Sequence, residues 1–161
     1  MTLPLGTLER AAVDPARTRL TAAAAAAVTV GLGLGLRALA TGSVAKYGGD
    51  ALYTVLLLAL VVSVAPRITP FRAAGSALAA SCLVEFLQLT PVPAELSRHS
   101  TVARLVLGST FNPPDLFWYA VGGASGWLVH TALRSAGPGR PHVRRGRPSK
   151  PWGQRRHGSG R

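Results

Sequence analysis

At 161 residues the chain has the length of one ordinary domain, with 48% hydrophobic and only 15% charged residues; soluble domains carry about a quarter charged residues, so the composition leans away from a water-soluble globule and towards the membrane class. The net charge of +12 invites a nucleic-acid reading, but nine of the 18 basic residues fall within 134–161, a stretch without Asp or Glu. The rest carries nine basic against six acidic residues, and mean hydropathy is +0.27: a greasy body bears a basic tail, and nucleic acid is not an expected partner.

Residues 1–19 form an arm carrying Arg10, Arg17 and Arg19. Four apolar runs follow, at 20–40 (LTAAAAAAVTVGLGLGLRALA), 49–65, 71–89 and 115–133. Each has about the 20 residues that carry a helix across 30 Å of hydrocarbon. Backbone groups in lipid must be satisfied within the segment, so each run is predicted to be helical. The predicted fold is all-α: a polytopic membrane protein with a four-transmembrane-helix bundle at 20–133. Pro66 and Pro70 bracket a short turn (PRITP) that makes the second and third runs an antiparallel hairpin. The longer link to the fourth run is predicted to hold a short interfacial helix around 96–107. Residues 134–161, rich in Arg, Pro and Gly, have almost nothing to bury and are predicted to be disordered.

Lysine and arginine counts beside the spans set the orientation. Fourteen basic residues fall on the side of the arm, the Pro66–Pro70 turn and the tail; Arg37, Lys46, Arg98 and Arg104 fall on the other. Both termini are therefore expected in the cytoplasm of a plasma-membrane protein. Ala38-Leu39-Ala40 also fits a signal-peptidase site, but the arm before the run is long for a signal and Arg37 stands just before that site, so the first span is expected to be retained. The tail is expected either to lie on anionic inner-leaflet lipid or simply to hold the orientation. Cys82 is the lone cysteine, which rules out an intrachain disulfide.

This topology gathers polar groups at the outer ends of the helices. Arg37 closes the first span, Asp50 opens the second, Glu85 and Gln88 close the third (VEFLQL), and Asp115 and Tyr119 open the fourth, with Arg104 in the preceding loop. Glu85 lies roughly 6 Å below the outer boundary at 1.5 Å per residue. An acid at that depth must face a partner or water, normally inside the bundle, and Gln88 shares its helix face. Helix packing is expected at the GxxxG pairs Gly31–Gly35 and Gly122–Gly126, and at Gly75–Ala79. The GLGLGL run lacks the strand-then-helix setting of a phosphate-binding loop. No metal or other cofactor is expected, since Arg37 and Arg104 compete for the carboxylates.

The succession KYGGDALY, VEFLQ, RLVLGSTF and DLFWYAVGGASG, spread over 46–126, resembles a family of small bacterial integral membrane proteins known only as a domain of unknown function. More distantly it resembles the VanZ-like proteins, onto whose pattern Asp50, Glu85, Gln88, Arg104, Asp115 and Gly122 fall. Tyr119 stands where that pattern has Asn, and Asn112-Pro113 follows GSTF where the nearer family tends to have an acid and an aromatic residue. The likeness implies a cell-envelope setting and no particular reaction.

Three functions follow as expectations. The outer cluster binds a lipid head group or an envelope-active compound; or its charges only lock the bundle of an accessory protein; or an oligomer of the chain moves an ion or proton. An enzymatic version would use Glu85 as general acid or base. With no G-x-S-x-G elbow and no H-x-x-x-H pair, a role without catalysis is favoured. Oligomeric state stays open.

Overall fold

The computed structural model describes residues 14–108 and 110–136, which form six helices and no strand. Most of the N-terminal arm, and nearly all of the tail predicted to be disordered, lie outside these residues. Helix α1 is Pro15–Leu39, α2 is Gly42–Val64 and α3 is Pro70–Leu87; α4 (Val92–His99) and α5 (Thr101–Leu107) precede α6 (Pro113–Ser135).

Local chemistry accounts for the boundaries. Asp14 accepts from the Ala16 N–H at 3.0 Å and Pro15 opens α1, so the helix begins within the predicted arm. The six alanines that follow are the strongest helix formers available. Gly42 takes φ +61°, a conformation costly for residues with a Cβ, and lets α2 fold back directly from α1. Thr69 and Pro70 start α3 in the same cap-and-proline manner. Ser100 ends α4 and caps α5 through the Ala103 N–H, so the single helix predicted over 96–107 is broken in two at that residue. At its far end α6 runs through Arg134 and Ser135, past the predicted start of the tail.

The core is a three-helix unit. α2 and α3 are antiparallel, joined across the interior by the buried Thr54–Ser81 hydroxyl pair at 2.9 Å. α6 runs parallel to α2 and packs on both. Ala73, Ala77, Ser81 and Glu85, each four residues apart, form the buried face of α3. Tyr119, Gly122, Gly123, Gly126 and His130 form that of α6. α1 packs principally along α2, adding Ala22 to the core beside Leu58 and Val62, while its leucines and valines are largely exposed. In lipid such side chains face solvent of their own kind, and close van der Waals fit replaces hydrophobic burial as the force between helices.

The glycine pairs divide sharply. A Cβ on Gly122 would collide with the backbone of Ala51, its carbonyl oxygen first, and one on Gly126 would come within 2.7 Å of Leu58 Cδ1. The close approach expected at Gly31 and Gly35 does not occur: nothing lies within 4 Å of a Cβ on either. Gly75 and Ala79 also face outward, because the buried face of α3 is the Ala73–Ala77 row on nearly the opposite side of the helix. The tight fit of α1 on α2 comes instead at Gly48, where Leu36 Cδ2 is 2.5 Å from the Cβ position.

Two helices, α1 and α2, are long and apolar enough to cross a membrane, and a third span exists if α3 and α4, bent by 90°, count as one. α6 has the length, 23 residues, but its glycines, Tyr119, Asp115 and His130 dilute its apolar character. These side chains serve its buried face. The chain is therefore an all-helical protein with membrane-spanning helices.

Candidate functional site

One end of the three-helix unit carries most of its charge. Glu85, in the last turn of α3, has no solvent exposure. Its two oxygens accept from different elements: Oε2 from the Tyr119 hydroxyl of α6 at 3.0 Å, and Oε1 from the Asn112 N–H at 2.5 Å. The second bond satisfies a backbone donor at the entrance to α6, where the helix dipole also favours a negative group.

Asp115, in the first turn of α6, is buried as well. Lys46 of α2 reaches both its oxygens at 2.5 Å, and the Asn112 side-chain amide donates to Oδ1. Lys46 also stands 3.7 Å from Asp50, one turn along α2. Around these groups lie paired aromatic side chains, Tyr47 stacked on Trp118 at 5.5 Å and Tyr53 tilted beside Tyr119 at 6.3 Å. Lys46 lies 5.6 Å from the centre of the Tyr47 ring, within cation–π range.

Gln88 caps α3 and works as a strut. Its amide nitrogen donates to the Leu107 carbonyl at 2.6 Å, while Ser97 donates to the Gly108 carbonyl at 2.8 Å. The α4–α5 arm is thus tied to α3 beside the cluster. Gly108 makes the turn at φ +64° and ψ −162°, a combination open essentially to glycine alone. A Cβ there would stand 2.6 Å from Gln88 Nε2. Gly108→Ala should break the strut at a cost of about 1–3 kcal/mol. Hydrogen exchange should then quicken across α4 and α5 with α2 and α6 unchanged; uniform exchange across all four would mean the arm is not held there.

Of the residues singled out from sequence, Asp50, Glu85, Gln88, Asp115 and Tyr119 gather at this end. Arg37 and Arg104 do not join them. Both are exposed, and neither makes an ion pair among the described residues. Both have the right depth, but their side chains leave the bundle. Their place is taken by Lys46 and Asn112. Lys46 was legible from its four-residue spacing to Asp50 and the Asn112 amide from its three-residue spacing to Asp115; the Asn112 backbone N–H that reaches Glu85 is revealed by no side-chain pattern. His99 pairs with Glu95 on α4, apart from the acids, and no group of His, Cys, Asp or Glu among the described residues is arranged to hold a metal ion.

Two buried acceptors at this end have no hydrogen-bond donor, Asp50 Oδ2 and Gln88 Oε1. Three carboxylates face the single ammonium of Lys46. Chemically, the site has acceptors to spare and can take a donor-bearing cation or a proton.

No curated protein and no solved structure matches the chain. A family model described as protein of unknown function (DUF2809) matches residues 39–123. That range is more than half of the chain and includes every residue of the cluster. The chain belongs to the DUF2809 family.

Proposed function

We propose that the chain is a four-span protein of a bacterial plasma membrane, with both termini cytoplasmic, whose outward-facing acidic cluster binds the cationic part of an envelope lipid head group or envelope-active compound. Fourteen basic residues against four support the orientation. At 1.5 Å per residue α6 is about 34 Å long, enough to cross. The envelope setting rests on the likeness of Asp50, Glu85, Gln88, Arg104, Asp115 and Gly122 to the VanZ-like pattern.

The observation that carries the binding reading is the surplus of acceptors. Gln88 Oε1 is buried without a donor, and Asp50 Oδ2, buried without a hydrogen bond, has only the shared Lys46 ammonium 3.7 Å away. Acceptors without a full hydrogen bond at a membrane boundary are costly, and a second primary ammonium offers three donors to relieve them. A second reading is favoured by Glu85, whose oxygens are both taken by protein donors. In that reading the cluster is a lock between α2, α3 and α6.

Native mass spectrometry of the full chain in mild detergent, loaded with phosphatidylethanolamine or phosphatidylglycerol, separates the two. Asp50→Asn should lose about tenfold in retained phosphatidylethanolamine, the loss of one charge-assisted hydrogen bond, with phosphatidylglycerol unchanged. Equal retention of phosphatidylethanolamine by wild type and Asp50→Asn, together with a lowered thermal midpoint, would leave the lock as the function.

A further inference from the structure

The opposite end of the bundle holds a second feature. A cavity of about 300 Å³ lies where the start of α1 meets the link from α2 to α3, lined by Pro15, Arg19, Ala65, Pro66, Arg67 and Ile68. Its floor is apolar, with Pro66 buried, and its two charged residues are exposed arginines. Among the described residues no carboxylate lines it. The nearby Asp14 side chain is engaged with the Ala16 N–H. A third guanidinium approaches from α6: Arg134 Nη2 donates to the Pro66 carbonyl at 3.2 Å, while its Nε is buried without an acceptor.

Two guanidiniums that make no ion pair among the described residues, over a small apolar concavity, form a receptor for a tetrahedral oxyanion with an organic substituent. The planar guanidinium fork matches pairs of phosphate oxygens. The Pro15, Ala65 and Ile68 walls suit the carbon backbone of an ester, and the volume is at the lower end of the range of small-molecule pockets. We infer that this cavity binds a phosphate group, in the form of the phosphodiester of an anionic lipid or of free phosphate. The site is remote from the acidic cluster and independent of its occupant.

The full chain is reconstituted into phosphatidylcholine nanodiscs with and without phosphatidylglycerol, and retained phosphatidylglycerol is read by native mass spectrometry. Arg19→Gln/Arg67→Gln should reduce retention about tenfold. Arg144→Gln/Arg145→Gln, which removes the same charge from the tail, should reduce it less than about twofold. Ala65→Trp, filling the cavity with both arginines kept, should match the first pair. Inorganic phosphate that displaces the lipid assigns the site to free phosphate; lipid that resists it assigns the site to the phosphodiester. Equal losses from the two arginine pairs, or full retention by Ala65→Trp, would overturn the inference, because attraction would then follow net charge and not the cavity.

Discussion

Gly122→Ala is expected to force α2 and α6 apart and to lower stability by about 3 kcal/mol, near the upper end for overpacking a well-fitted contact. The added methyl meets the Ala51 carbonyl oxygen, carbon and Cα, and helix backbone cannot swing aside as a side chain can. Gly126→Ala meets only the tip of Leu58, which has rotamers to yield into, so its effect should be smaller. Gly31→Ala and Gly35→Ala meet nothing and should be neutral or stabilise by about 0.5 kcal/mol, since alanine gives up less freedom than glycine in a helix. Thermal unfolding of the full chain in one detergent checks the order. A Gly122→Ala protein with the wild-type midpoint would mean that the two backbones do not touch at Ala51.

Glu85→Ala should be the most damaging side-chain deletion, costing about 2–6 kcal/mol, from two buried donors left unsatisfied at about 1–3 kcal/mol each. It leaves the Tyr119 hydroxyl and the Asn112 N–H without an acceptor and opens a void where the carboxylate had no solvent exposure. Glu85→Gln should cost less, because the amide oxygen still accepts one of the two donors while its NH₂ opposes the other. Tyr119→Phe removes one donor and should cost about 1–3 kcal/mol. Combined with Glu85→Ala it should add almost nothing, since the bond is already gone. Strict additivity in that double-mutant cycle would rule out the Glu85–Tyr119 contact.

These contrasts mark what the sequence makes legible and what it conceals. Run length and backbone satisfaction announce the four long helices, and proline with a capping residue fixes where α3 begins to within a residue or so. Depth is legible too. Counting along each run brings Asp50, Glu85, Asp115 and Tyr119 to one end of the bundle, where they are found together.

Direction around the helix axis is not legible in the same way. A run that is apolar on every side gives no amphipathic stripe to show which face is inward. Arg37 and Arg104 therefore share a depth with the acids yet leave the bundle. Gly31–Gly35 and Gly122–Gly126 are identical as spacings, yet only the second pair meets a neighbouring helix. Asn112 is hidden for another reason: its contribution to Glu85 is a main-chain N–H exposed by the proline-initiated start of α6. Main-chain donors are the same at every position, so only the turn geometry distinguishes this one.

The lateral placement of α1 divides the molecule into parts under unequal constraint. The family resemblance begins at residue 39, at the very end of that helix, and the helix leans chiefly on a single neighbour. Outside the small buried row Ala22, Ala26 and Thr29, substitutions along the exposed side of α1 need only preserve greasiness and length, so its alphabet there can drift between homologous chains. From α2 onward, a glycine, a hydroxyl pair and a carboxylate are each fixed by an atom on the facing helix, and there drift should be slow.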